Sequence, residues 1–366
     1  MILLNPGPVT LSPRVRRALA ESEDLCHREV EFAELTRDIL ARLEGIYAGA
    51  EDYAAVMLSG SGTCGVEAML STFALKDRPT LVVANGVYGE RMAEMLKRQG
   101  KPMWLARAEW IEPIDLAQAR RLLDEHPDIA RVAVVHHETT TGRLNDLGEL
   151  AALCRERGKG LLIDAVSSFA GEDIPLADWE PLAVAGTANK CLHGIPGIAC
   201  VLARQEALVT QALETQVSQS TSLYLDLAGY YKEQRAGFSP FTQAVQAAQA
   251  LRAALAEFAD QGGWRARRDT YQARTDRIRD RLAKLGVAPL LPPGESSSML
   301  TAYRMPEGFS YPALHDHLKA RGFVIYAGQG QFNGRIFRIA TMGEIGDVDL
   351  ARLEQSLDDY FQGKTP

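Results

Sequence analysis

From about residue 53 to residue 203 the chain alternates short apolar runs with amphipathic stretches. The runs at 53–58, 80–84, 103–106, 132–136, 161–164, 182–185 and 198–202 have strand length, and several are apolar at successive positions rather than at every second one. Between them, apolar residues recur with helical spacing over 66–75, 90–98, 116–125 and 147–157. Strands buried on both faces and separated by helices predict an α/β fold, a mostly parallel sheet covered by helices. After Phe241 the period lengthens into two predicted helices, 243–260 and 265–285, broken at Gly262-Gly263. A smaller α+β unit follows, with strands expected at 299–304, 323–326 and 335–340 and helices at 311–321 and 348–360. Pro292-Pro293-Gly294 and Ser296-Ser297-Ser298 mark a loop too short to tether separate domains, and no internal repeat interrupts the pattern.

Composition narrows the class. With 366 residues, 46% hydrophobic and 24% charged, the chain can bury a large core and a second unit, which excludes a disordered protein. Forty Lys and Arg against 47 Asp and Glu leave a net charge of −7 without any basic block, so no nucleic-acid partner is expected. Apolar runs such as 81–84 and 161–163 are far shorter than a membrane span, and Met1-Ile2-Leu3-Leu4 opens without a basic segment. No membrane partner and a cytoplasmic location are therefore expected. Five scattered cysteines, Cys26, Cys64, Cys154, Cys191 and Cys200, form no CxxC and read as free thiols. Neither His136-His137 nor the pair His315 and His317 has the spacing that places two ligands on one face, so no metal is expected.

Three features carry chemistry. Ser59-Gly60-Ser61-Gly62-Thr63-Cys64-Gly65 lies between a predicted strand and helix and satisfies GxGxxG. A dinucleotide reading needs an acidic residue at the end of the next strand, where Asn85-Gly86 stands instead. What remains is a helix N-terminus with small residues and hydroxyls, suited to a phosphate. Asp164 ends the apolar run 161–164, a position that serves ligand chemistry or merely caps a turn. Lys190 stands in the polar segment Thr187-Ala188-Asn189-Lys190-Cys191, and alone it would read as solvated surface. Together, and in this order, the three match what pyridoxal phosphate requires. They supply an anion site, a carboxylate to hold the pyridine nitrogen protonated and an amine to bond its aldehyde.

With Asn5-Pro6-Gly7-Pro8, Asn85-Gly86-Val87-Tyr88-Gly89-Glu90-Arg91, His137-Glu138-Thr139-Thr140-Thr141-Gly142, Asp164 to Phe169, Ala188 to Cys191 and Phe337-Arg338-Ile339, the chain resembles the 2-aminoethylphosphonate:pyruvate aminotransferases nearly end to end. These sit in a fold-type I pyridoxal-phosphate group with alanine:glyoxylate and serine:pyruvate aminotransferases. The resemblance implies a large cofactor-binding domain over 15–255, and a small domain over 256–366 joined by residues 1–14. It implies Lys190 as the residue that bonds the cofactor and shuttles the proton, and Asp164 as partner of the ring nitrogen. Ser61, Gly62, Thr63 and Asn189 would hold the phosphate, Tyr88 would stack on the ring, Thr139 would meet the ring hydroxyl, and Thr242 would reach the site of a neighbouring subunit in a homodimer. Arg338, a guanidinium in an apolar strand, would bind phosphonate and carboxylate in turn, with Asn5 and Gly7 beside the substrate. The activity implied is ping-pong transamination from 2-aminoethylphosphonate to pyruvate. One segment departs: Cys26-His27-Arg28-Glu29 is closer to the alanine:glyoxylate group. It leaves open an alanine or serine:glyoxylate (or pyruvate) aminotransferase, or one for a related aminophosphonate or aminosulfonate. Arg28 would then be either a second substrate cation from a partner subunit or an exposed residue at the start of a helix.

Overall fold

The computed structural model describes residues 1–213 and 219–363. Its strands are β1 (Ile2–Leu3), β2 (Tyr53–Gly60), β3 (Thr80–Ala84), β4 (Met103–Arg107), β5 (Arg131–Val135), β6 (His137–Glu138), β7 (Arg143–Leu144), β8 (Gly160–Asp164), β9 (Ala183–Thr187), β10 (Gly197–Arg204), β11 (Leu300–Arg304), β12 (Phe323–Val324), β13 (Tyr326–Ala327) and β14 (Ile336–Ala340). A seven-stranded sheet in the order β2-β10-β9-β8-β5-β3-β4 forms the centre. All its strands run one way except β10, which is antiparallel to both neighbours. The cause is local: the 188–196 segment between β9 and β10 is too short for a parallel crossover, so the chain must turn back. Lys190 lies in that turn.

Alternate residues of β2 face opposite sides of the sheet, Ala55 and Met57 toward one apolar core and Ala54, Val56 and Leu58 toward the other. The Gly62–Phe73 and Val87–Arg98 helices contribute to the second of these cores. A third core gathers Leu4, Ile278, Tyr303, Leu318, Phe337 and Leu357 around a three-stranded sheet in the order β11-β14-β13. Leu4 belongs there because β1 pairs in parallel with β12, Ile2 opposite Phe323.

Three differences from the pattern reading have physical reasons. The helix expected from residue 66 begins at Gly62, because Gly62, Thr63, Cys64 and Gly65 show no apolar period although the two glycines are buried against neighbouring segments. A Cβ on Gly62 would stand 2.6 Å from Val166 Cγ1, and one on Gly65 would stand 3.1 Å from Ala199 Cβ. The strand expected over 323–326 divides, since Phe323 and Val324 pair with β1 whereas Tyr326 and Ala327 pair with β14. Helices Pro13–Glu21 and Val30–Glu44 precede the alternating region. The second is amphipathic, burying Phe32, Leu35, Ile39, Leu40 and Leu43 on one face.

Candidate active site

The carboxyl ends of the parallel strands converge on one edge of the sheet, where ligands bind in open α/β folds. β2 ends in Gly60 and hands over to the Gly62–Phe73 helix with Ser61 as N-cap. The Ser61 side chain makes no cap hydrogen bond, and both Ser61 and Thr63 are exposed. Amide groups of this first turn and two hydroxyls are thus available to an anion. Asn189 lies beside the end of β9, its Oδ1 2.8 Å from the Thr187 hydroxyl.

Asp164 closes β8 and is buried. One of its oxygens accepts the Val166 amide at 3.0 Å. Burial pushes its carboxyl up to about 6, while that amide, Arg91 and Lys190 pull the other way. Burial likewise draws the Lys190 ammonium down to about 8, against Cys191 and Asp164, which favour its charge. Lys190 Nζ donates to the Pro6 carbonyl. The neighbouring Gly7 has φ +133°, and a Cβ there would stand 2.6 to 2.8 Å from Lys190 Cδ, Cε and Nζ. The positive φ favours glycine, and any larger residue would also displace the end of the Lys190 side chain. Asn5, buried beside it, donates to the Pro8 carbonyl at 3.1 Å and leaves its Oδ1 without a partner.

Thr139 follows β6 and is buried with its hydroxyl unpartnered. Its carbonyl accepts Arg338 Nη1 at 2.6 Å, although the two are 199 residues apart. Arg338, in the middle of β14 and only 1% exposed, also donates from Nε and Nη2 to the Ala327 carbonyl at 3.0 and 2.6 Å. Its guanidinium lies 5.2 Å from the Tyr326 ring centre. Among the described residues no carboxylate is within ion-pair distance of it. Tyr88, half-buried at the start of the Val87–Arg98 helix, has the Arg91 guanidinium 4.8 Å from its ring centre. Thr63, Tyr88, Arg91, Asp164 and Val166 line one small cavity of about 30 Å³.

Arg28 and Thr242 are exposed, and neither bonds to Lys190, Asp164 or Arg338 within the chain. The sequence reading left two buried neighbours without a role. His137 has Nδ1 3.3 Å from the Ser167 carbonyl and Nε2 unpartnered, and burial lowers its pKa to about 4, so it is neutral. Glu138 is fully buried, with a carboxyl that burial raises to about 7. Both lie inside the His137-to-Gly142 motif, but nothing in a lone sequence separates a lining residue from its neighbours there.

Buried polar atoms without partners are costly unless a ligand meets them. Asn5 Oδ1, His137 Nε2 and the Thr139 hydroxyl are such atoms, and the charge of Lys190, whose amine burial keeps partly neutral, is felt by His137. An anion site at a helix end, a carboxylate at a strand end, a buried amine and unpartnered hydroxyl and imidazole groups fit a phosphorylated cationic pyridine bearing an aldehyde. The fold and the site are those of a pyridoxal-phosphate-dependent transferase.

The chain belongs to the class V aminotransferases, whose family profile matches residues 17–330. It is similar to the 2-aminoethylphosphonate–pyruvate transaminase of Bacillus thuringiensis (strain Al Hakam), with 32% identity over 360 residues, 97% of this chain and 96% of the relative. The alanine–glyoxylate aminotransferase of Nostoc sp. superposes with a TM-score of 0.90 at 25% identity, over 98% of this chain and 94% of that one. A subgroup IV aspartate aminotransferase of Thermus thermophilus superposes at 0.88 and 25% identity, over 99% of each chain. The chain is thus an aminotransferase, and its cofactor is pyridoxal phosphate.

Proposed function

We propose that the chain transfers the amino group of 2-aminoethylphosphonate to pyruvate, giving phosphonoacetaldehyde and L-alanine in two half-reactions that use one site in turn. The observation that carries this reading is Arg338, a buried guanidinium that, among the described residues, hydrogen-bonds to backbone carbonyls and forms no ion pair. A buried cation in that state lacks an anion. The phosphonate of the donor and the carboxylate of pyruvate both suit its planar fork. The choice of an aminophosphonate among anionic donors is supported by the curated relatives, which bear that substrate in their names.

When bound, the cofactor supplies an aldehyde to take the amine and an electron sink for the pair left by a departing proton. The chain's own residues do the rest. Lys190 would bond the cofactor's aldehyde, and its Nζ would then be the base that moves the proton of the amine-bearing carbon. A pKa near 8 leaves part of that amine neutral at physiological pH. Asp164 would hold the proton on the ring nitrogen, and Ser61, Gly62, Thr63 and Asn189 would hold the phosphate. Tyr88 would stack on the ring, the unpartnered Thr139 hydroxyl would serve the ring hydroxyl, and Asn5 and Gly7 would flank the substrate. Arg28 and Thr242, exposed in the single chain, act across the interface of a homodimer.

The test is spectral. Adding 2-aminoethylphosphonate to the holoenzyme should bleach the visible cofactor band, and pyruvate should restore it; a panel in which this donor leaves the band unchanged rejects the substrate. A second reading, transamination between alanine or serine and glyoxylate, is favoured by Cys26-His27-Arg28-Glu29 and by the likeness to the Nostoc enzyme. Bleaching by alanine or serine with recovery by glyoxylate selects it.

A further inference from the structure

The Val87–Arg98 helix, which carries Tyr88, begins after Gly86, a residue with no side chain to cap it. The first amides of a helix need acceptors, and these come from a different part of the chain. Glu138 Oε2 accepts the Tyr88 amide at 3.1 Å, and the Thr140 hydroxyl lies 3.4 Å from the Val87 amide. Glu138 Oε1 in turn accepts the Thr140 amide at 3.1 Å and the Thr140 hydroxyl at 2.6 Å. A fully buried carboxylate with no cation at ion-pair distance among the described residues is thus held by three donors and the positive end of a helix. Gly86 makes room for it: a Cβ there would collide with Glu138 Cγ and Cδ and stand 2.5 Å from Oε2. The Gly86 backbone is extended, at φ 178°, so its glycine answers to the carboxylate and not to a strained turn. Thr139, between the two capping residues, keeps its hydroxyl without a partner and gives its carbonyl to Arg338.

We propose that Glu138 is a positioning residue of the aminotransferase site, a cap supplied from outside the helix that sets Tyr88, Thr139 and, through the Thr139 carbonyl, Arg338 in one geometry. The inference rests on the reading above, in which those three face cofactor and substrate. Glutamine is nearly isosteric but has one acceptor oxygen. If it keeps the two Thr140 bonds, its amide N–H groups face the Tyr88 N–H, and the helix end is released. Gly86→Ala displaces the carboxylate without altering its chemistry.

The experiment compares Glu138→Gln, Gly86→Ala and Arg338→Gln with the unaltered holoenzyme. For each, the melting temperature, the visible circular dichroism of the bound cofactor and kcat and KM for 2-aminoethylphosphonate and pyruvate are measured per cofactor-loaded site. Both Glu138→Gln and Gly86→Ala should change the dichroic band and lower kcat/KM at least about tenfold, because a misplaced ring and guanidinium lose transition-state contacts. Should either variant fail to accumulate, Thr140→Val, which removes only the hydroxyl bridge, should move the same quantities in the same direction by about threefold. Variants that melt lower yet keep the band and kcat/KM within about twofold of the parent overturn the inference, leaving Glu138 a structural residue only. If Arg338→Gln leaves both KM values unchanged, the substrate reading fails on its own, and the dichroic band alone then decides the role of Glu138.

Discussion

Asp164 and Lys190 owe their chemistry to the same cause acting on opposite charges. Burial disfavours each ionised form, raising the carboxyl to about 6 and lowering the ammonium to about 8. For Asp164 the folded value lies above the ordinary 3.8. The stability it contributes is therefore full below that ordinary value and is lost as pH rises through about 6. At neutral pH the cofactor-free protein carries a buried ionised carboxylate that costs on the order of 3 kcal/mol. Asp164→Asn should accordingly raise the melting temperature of the cofactor-free protein near neutral pH, with the gain shrinking toward pH about 4. The same change should lower transamination at least about a hundredfold, since asparagine cannot hold the ring proton. Calorimetry across pH beside a rate assay checks both, and a melting point unchanged near neutrality argues against the buried charge. For Lys190 the expectation is covalent: borohydride should fix the cofactor mass on this residue in the parent chain and leave none on Lys190→Ala.

At the level of elements, the Gly62–Phe73 helix is held at both ends. Its N-terminal turn presses on the sheet through Gly62 and Gly65, and its last carbonyls meet a buried lysine. Lys101 Nζ donates to the carbonyls of Leu70, Ser71 and Ala74 at 3.1, 2.5 and 2.5 Å. A cation at a helix C-terminus is favourable, and here it satisfies groups the helix leaves open. Lys101→Met should destabilise the protein by about 2 kcal/mol, the orphaned carbonyls outweighing the relief of a buried charge, as read from urea unfolding. Gly62→Ala acts at the other end. Its Cβ would stand 2.6 Å from Val166 Cγ1 and 3.3 Å from Thr187 Cβ, so this first turn or the Val166 side chain must shift. Cofactor affinity, measured by fluorescence titration of the cofactor-free protein, should fall about tenfold or more with little loss of stability.

On the scale of the whole molecule, the site exists because three distant segments meet. β9 brings Lys190, β14 brings Arg338, and the strand β1 crosses to β12 so that Pro6 and Gly7 cover the lysine. Glu172, after β8, adds a clamp by accepting the Ser298 amide and hydroxyl at 2.7 and 2.8 Å, with Arg268 3.2 Å away. With a net charge of −7, the molecule has no global field to draw in anions, so positive charge at the site must come from local groups, Lys190, Arg91, Arg338 and helix amides. Removing residues 2–8 should readmit water to Lys190, return its pKa from about 8 toward the ordinary 10.5 and weaken cofactor binding. The pH dependence of cofactor binding by the truncated chain checks this; an unshifted midpoint would sink the covering role of the segment.

The α/β pattern, the small-residue turn before the Gly62–Phe73 helix, and Asp164, Lys190 and Arg338 as candidates were legible in the sequence because each rests on a local rule. Strands buried on both faces read as continuous apolar runs, small residues before a helix expose amides, and a charge inside an apolar strand has no innocent explanation. Glu138 and His137 stood in view within a motif, but their burial and missing partners are properties of a packed interior. β1 and β12 are two residues each, too short to show a period, and the split at Ile325 depends on which neighbours the chain finds. The sequence alone determined the class of fold and the chemical groups available. Only the tertiary structure decided which of them face one another, because desolvation and hydrogen bonds across 199 residues act through space and leave no trace in spacing along the chain.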